Sequence, residues 1–187
     1  GLHNVRNALA ACAVGLALGM PFALLADGLR QFDGVRRRLQ VAGTAGGVTV
    51  IEDYAHHPTE IAATLDAVRM AQPGRLIAVL QPHLYSRTQF FCGDFARVLA
   101  AADLAYVTDI YPSREAPMPG VHASNIVDAA RAQGATHVQL LEDKEAVAGA
   151  VAGMALEPGD VVLVLGAGDI NRICPAVLAA LEGAVCR

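Results

Sequence analysis

Tryptophan is missing from these 187 residues, aromatic side chains make up only 5%, and lysine occurs once, at Lys144. That lysine sits outside any Gly-x-x-x-x-Gly-Lys pattern, so the sequence supplies no phosphate-cradling loop of that type. Charged residues reach only 17% and the net charge is −4 with no basic stripe, which gives no support to a nucleic-acid role. The four cysteines, Cys12, Cys92, Cys174 and Cys186, are widely spaced and form no Cys-x-x-Cys pair. They read as reduced, mostly buried thiols of a cytoplasmic protein. A long uninterrupted apolar run is also lacking. The stretch from Ala8 to Leu25 is broken by Gly15, Gly19 and Pro21, and reads as a buried helix rather than a membrane span. No basic-then-apolar leader of the secretory kind opens the chain.

What is present is a hydrophobic content of 54%, enough for a substantial core. Leu2, Val5, Leu9, Cys12 and Leu16 mark a helix over 2–18, and a second helix starts with Pro21 in its first turn and runs to about Phe32. The turn Asp33-Gly34-Val35 and the arginine run 36–38 place a domain junction near residue 34. Beyond it, 39–42 and 48–51 flank a glycine-rich turn and read as a hairpin. The pattern then alternates: helix 58–71, strand 75–81, helix 87–102, strand 104–109, helix 124–133, strand 137–141, helix 143–153, strand 160–165 and helix 170–182. Such alternation predicts an α/β fold, a Rossmann-like, mostly parallel sheet with helices on both faces and the hairpin strand at its start. The two leading helices fit this sheet badly and read as the tail of another domain. With Gly1 an unusual first residue, the chain is expected to be a carboxy-terminal fragment.

Polar clusters stand where strands run out: Asp53-Tyr54-Ala55-His56-His57-Pro58, Gln81-Pro82-His83-Leu84-Tyr85-Ser86-Arg87 and Gly166-Ala167-Gly168-Asp169. In a parallel sheet these ends share one edge, where ligands bind. His56, His57 and His83 suggest zinc, but adjacent histidines point apart, and the alternative is that His57 caps the helix begun by Pro58. Ser86 and Gln89 fit a capping box, which puts Arg87 in a first turn where the helix dipole disfavours a cation. Arg87 is therefore read as an anion ligand, such as for a carboxylate. Asn4 and Asn7 share a helix face and could pair with an adenine edge, or Asn4 could merely cap the helix and Asn7 satisfy nearby backbone. Among the three arginines at least one could clamp phosphate, with Arg36 and Arg37 read more safely as solvated. The glycines after Leu165 do not make a dinucleotide fingerprint, because Asn171 holds the third glycine position. They read as a turn bringing backbone N–H groups toward a ligand.

Taken in order, these motifs, with His3-Asn4-Val5-Arg6-Asn7-Ala8-Leu9-Ala10-Ala11, Phe32-Asp33-Gly34-Val35-x-Arg37-Arg38, Glu115-Ala116-Pro117 and Gly166-Ala167-Gly168-Asp169-Ile170, strongly resemble the Mur ligases over essentially the whole chain. The resemblance implies ATP-dependent addition of L-alanine to UDP-N-acetylmuramate through an acyl phosphate, with magnesium, in peptidoglycan precursor synthesis. It makes residues 1–33 the end of a central ATP-binding domain and 34–187 the carboxy-terminal domain. The phosphate loop and magnesium-binding residues of the family fall outside this sequence, so the piece alone is expected to be inactive. Carried over by position, Asn4 and Asn7 lie near adenine, Arg38 faces the ATP phosphates, and Asp53 the ribose or nucleotide. Tyr54, His56, His83 and Arg87 surround alanine and the acyl phosphate, with Arg87 on the carboxylate. Leu84 stands where many members carry arginine, and Tyr111, Arg114 and Glu115 receive no individual role.

Overall fold

The computed structural model describes residues 2–71 and 74–185. Two helices, α1 (Leu2–Ala17) and α2 (Phe22–Arg30), precede a six-stranded sheet. Its strands are β1 (Gln40–Ala45), β2 (Val48–Asp53), β3 (Leu76–Leu80), β4 (Leu104–Val107), β5 (Val138–Leu140) and β6 (Val161–Leu165). They lie in the order β1-β2-β6-β3-β4-β5. Only β1 runs antiparallel; all other pairings are parallel.

The hairpin turn is tighter than its glycine-rich sequence suggests. Gly46 and Gly47, at φ 58° and 79°, form a two-residue connection of the kind that matches strand twist. The remaining helices are α3 (Pro58–Ala71), α4 (Tyr85–Phe90), α5 (Cys92–Leu99), α6 (Ser124–Ala132), α7 (Val147–Ala152) and α8 (Cys174–Val185).

Side-chain alternation along each parallel strand divides the core in two. Leu76, Ala78 and Leu80 of β3 and Val161, Leu163 and Leu165 of β6 face α3, α5 and α6, meeting Ile61, Leu65, Phe95, Leu99 and Ile126. Ile77, Val79, Val162 and Val164 face the other way, onto Val147, Val151, Val177 and Leu181 of α7 and α8. Both β3 and β6 are buried along their whole length, as continuous apolar runs demand.

Five expectations change. The helix expected over 87–102 is two helices, broken at Phe91, whose φ of −106° and ψ of 17° leave the helical region. Helix 170–182 begins as a 3-10 turn over Ile170–Ile173, and helix 143–153 as one over Lys144–Ala146 capped by the Asp143 carboxylate. The first helix is not buried: only Gly15 is, while Leu2, Val5, Leu9 and Leu16 are more than half exposed. Its apolar side chains follow helical spacing, but α2 covers only one part of that face, at Gly15, where a Cβ would collide with Leu25. Among the described residues no helix is long and apolar enough to cross a membrane. Cys174 is buried, but Cys12 and Cys92 are only part-buried, fewer buried thiols than expected; Cys186 lies outside the described residues.

Candidate active site at the carboxyl edge of the sheet

The ends of β2, β6 and β3 lie side by side, since Asp53 is in register with Leu165 and Leu165 with Leu80. The loops that follow must therefore meet. After β2, Asp53 is 5% exposed, and its two carboxylate oxygens accept the N–H groups of Leu39 (2.7 Å) and Ala55 (2.7 Å). A buried carboxylate with two backbone donors is well satisfied. Here it staples the crossing segment 34–39 to the end of β2.

Beyond Asp53 the aromatic rings form a row. Tyr54 and His56 meet edge-on at 5.3 Å between centroids, His56 and His83 at 5.7 Å, and His83 stacks on Tyr111 at 5.7 Å. The Arg87 guanidinium closes the row, 3.4 Å from His83 Nδ1. Because a guanidinium only donates, that nitrogen of a neutral His83 accepts. Burial first, then the positive surroundings of His56, Arg87 and Arg114, push the His83 pKa down, which keeps the ring neutral at pH 7. His56 Nδ1 lies 2.9 Å from the Tyr54 carbonyl oxygen. In the neutral form of that ring, donation there leaves Nε2 as the acceptor.

His57 turns away from this row. Its Nδ1 accepts the Thr59 N–H at 3.2 Å and its ring packs on Phe91, so it caps α3 as the alternative reading held. Glu60 reaches back to the N–H groups of His56 (3.1 Å) and His57 (3.3 Å). Burial works to raise its carboxyl, but these bonds and the His56 and Arg38 charges hold it below the usual range.

The capping box expected at Ser86 and Gln89 is not formed. Leu84, at φ 74°, occupies the cap position of α4, and the Ser86 N–H and hydroxyl both donate to Glu115 on the loop after β4. Leu84 is held in this left-handed conformation because its carbonyl accepts the Thr88 hydroxyl and N–H and its own N–H donates to the Tyr111 carbonyl.

At the glycine turn two of the N–H groups have partners within the protein. The Gly166 N–H donates to the Asp53 carbonyl and the Ile170 N–H to Gln81 Oε1, so these donors serve the protein itself. The glycines are needed for close packing: a Cβ on Gly168 would stand 2.6 Å from the Tyr111 ring and collide with Gln81 Oε1. Asp169 is paired with Lys144 and accepts from Gln81 Nε2 at 3.1 Å. The Lys144 bond and, against some burial, the Gln81 bond hold the Asp169 carboxyl low.

Arg37, read from sequence as solvated, is half-buried instead. Its Nη2 donates to the carbonyls of Gly166 (2.7 Å) and Gly168 (3.0 Å), and its guanidinium lies 4.8 Å from the centre of the Tyr54 ring. Arg38 lies 5.6 Å from the same ring and also lines a cleft of about 1180 Å³. Asn4, Asn7, Ala8 and Ala11 of α1, Leu29 of α2 and Phe32 just beyond it line that cleft. Leu39, Asp53, Glu60 and Thr64 line it as well. The structure thus brings Tyr54, His56, His83 and Arg87 into one row and Asn4, Asn7 and Arg38 into one adjoining cleft. Asp53 borders the cleft, but its oxygens are engaged by the backbone.

Composition and periodicity do not separate Arg37 from its neighbours; the family motif that ends in Arg37-Arg38 includes it but gives it no role. A positive φ at Arg37 (59°) and Leu39 (47°) turns the chain so that Arg37 enters the loops and Arg38 the cleft. Glu60 had a legible signal, since a glutamate in the first turn of a helix commonly reaches back to the cap.

The family profile of the Mur ligase, glutamate ligase domain, matches residues 37–168. The chain belongs to the Mur ligase family. A UDP-N-acetylmuramate–L-alanine ligase of Streptomyces avermitilis is 50% identical over 179 residues, 95% of this chain and 38% of the relative. One of Salinibacter ruber is 49% identical over 183 residues, 97% of this chain and 38% of the relative. The chain therefore spans well under half the length of these Mur ligases. Among solved structures, the UDP-N-acetylmuramate–alanine ligase of Thermotoga maritima matches with a TM-score of 0.80 at 28% identity, over 98% of this chain and 39% of that one. A murein peptide ligase of Psychrobacter arcticus matches with a TM-score of 0.72 at 27% identity, over 97% of this chain and 37% of that one.

Proposed function

We propose that this chain is the carboxy-terminal part of an ATP-dependent ligase that joins L-alanine to UDP-N-acetylmuramate. Residues 1–33 would be the end of the central ATP-binding domain and 34–187 the domain that delivers the amino acid. The observation that carries the reading is the row Tyr54, His56, His83 and Arg87 directly beside a cleft bounded by Asn4, Asn7 and Arg38. An amino-acid carboxylate, a transferring phosphate and an adenine each find a suitable group there, in the order the reaction needs. The kinship with alanine-adding ligases at about 50% identity supports the same assignment.

In this reading the muramoyl carboxylate attacks the terminal phosphorus of ATP and ADP leaves. The alanine amine then attacks the acyl phosphate carbon, and the carbon–oxygen bond breaks to release phosphate. Arg87 holds the alanine carboxylate with its planar fork. His83, neutral, fixes Arg87 through its Nδ1. His56 presents Nε2 as acceptor for the proton that the alanine ammonium must lose before it can attack. Tyr54 forms the wall between this row and the cleft, where Asn4 and Asn7 take the adenine and Arg38 the phosphates. Asp53 acts on the nucleotide side by fixing the crossing segment that carries Arg38. Magnesium, implied by the family, finds no group of three acidic, histidine or cysteine side chains among the described residues.

The test is Arg87→Ala in the full-length parent. Losing a bidentate charge-assisted contact should raise KM for L-alanine roughly 30- to 100-fold while leaving KM for ATP unchanged. Unaltered alanine dependence would refute the placement of the amino acid.

A further inference from the structure

Helix α4 carries Arg87 yet has no side-chain cap of its own: Leu84 holds the cap position without one. The first N–H groups of a helix need acceptors from elsewhere. One comes from Glu115, whose Oε2 accepts the Ser86 N–H at 2.9 Å while its Oε1 accepts the Ser86 hydroxyl. These two bonds hold the Glu115 carboxyl below its usual range, and a carboxylate suits the positive end of a helix.

The loop bearing Glu115 is tied at its other end too. The Tyr111 N–H donates to the Pro82 carbonyl at 2.8 Å, the Leu84 N–H donates to the Tyr111 carbonyl at 3.0 Å, and the Tyr111 ring stacks on His83. The turn between, with the Glu115 N–H donating to the Pro112 carbonyl and Ser113 at φ 54°, is closed on itself. The segments Pro82–Ser86 and Tyr111–Glu115 are therefore bound together at both ends, and His83 and Arg87 project from one rim of the pair. Of these ties only the Glu115 clasp uses an exchangeable side chain at the start of the helix bearing Arg87.

We propose that Glu115 is a positioning residue: through Ser86 it sets the first turn of α4, and so the bearing of Arg87 and His83 toward the amino acid. This rests on the ligase reading above. Glu115 touches Ser86, not the reacting groups, so its loss acts on one substrate and not on all.

In the full-length parent, Glu115→Ala should raise KM for L-alanine about tenfold, the loss of one solvent-screened charge-assisted clasp, with KM for ATP and for UDP-N-acetylmuramate within about twofold. Glu115→Gln keeps an acceptor for the Ser86 N–H and should recover most of the effect. Ser86→Ala should act in the same direction, and the double variant should be no worse than Glu115→Ala alone. Amide exchange in the same full-length protein should quicken at Ser86 in Glu115→Ala and in no core strand. A uniform rise of every KM, fully multiplicative single effects, or unchanged exchange at Ser86 would each overturn the clasp. If the wild-type parent showed no alanine-dependent phosphate release, the ligase reading would fall, and the exchange result would still decide whether Glu115 sets the helix.

Discussion

Replacing Arg37 with alanine isolates the contact that ties the segment before β1 to the glycine turn after β6. The substitution removes donors from two carbonyls, Gly166 O at 2.7 Å and Gly168 O at 3.0 Å, and a guanidinium 4.8 Å from the Tyr54 ring centre. Gly166 is buried, so its carbonyl loses a partner that water replaces poorly, at about 1–3 kcal/mol. Gly168 is only half-buried and is largely rehydrated, adding about 0.5 kcal/mol, and the ring contact adds about 0.5 kcal/mol more. The expected loss is thus roughly 2–4 kcal/mol, a large share of the stability of an ordinary domain. Arg37 also sits at φ 59°, where an L-residue is strained. Arg37→Gly should therefore be milder than Arg37→Ala by about 1 kcal/mol. Urea unfolding of the 187-residue chain, followed by far-ultraviolet circular dichroism, measures both. A loss below about 0.5 kcal/mol for Arg37→Ala, or a glycine variant worse than the alanine one, would refute the reasoning.

Gly168→Ala drives a methyl group into Tyr111 and Gln81 and should cost about 1–3 kcal/mol in the same assay, with the tyrosine environment altered in near-ultraviolet dichroism. Asp160, buried at the start of β6, accepts from the Arg75 side chain and from the N–H groups of Arg75 and Glu157. Burial opposes its ionisation, but these bonds win and its pKa is lowered. A depressed carboxyl stabilises the fold fully above its unfolded pKa of about 3.9 and loses that contribution as pH falls through the lower folded value. Asp160→Asn should therefore be destabilised at pH 7 and up to the same extent at pH 5, with the gap to the wild type closing below about pH 4 in pH-dependent urea titrations. On the proposed placement of adenine against Asn7, Asn7→Ala in the full-length parent should raise KM for ATP about tenfold and leave KM for L-alanine unchanged.

The order of elements could be read from the sequence because β3 and β6 are continuous apolar runs between helices of amphipathic spacing. Local patterning is enough to identify such elements. The break at Phe91 had a faint local trace in the weak helix formers Phe90, Cys92 and Gly93 beside it, and in the structure the Phe91 ring packs against His57 on the loop after β2. The exposure of α1 was misread for a related reason: apolar spacing records that a face is to be covered, not by which residues. At the candidate site, His56, His83 and Arg87 stood out as strand-end polar residues, and the fold gathers them. The capping box at Ser86 failed because a better acceptor, Glu115, arrives from a loop 29 residues away. Pairing across that distance leaves no local trace. Arg37 was read as solvated although it stands in the family motif, because the turn inward depends on positive φ values at 37 and 39 that residue type does not reveal.

Phosphate release from ATP, measured with UDP-N-acetylmuramate and L-alanine for the full-length parent and the 187-residue chain in parallel, tests the central claim most directly. The account predicts release by the parent only when both substrates are present, and none by the shorter chain. Release without L-alanine, no release by the parent, or turnover by the 187-residue chain alone would contradict it.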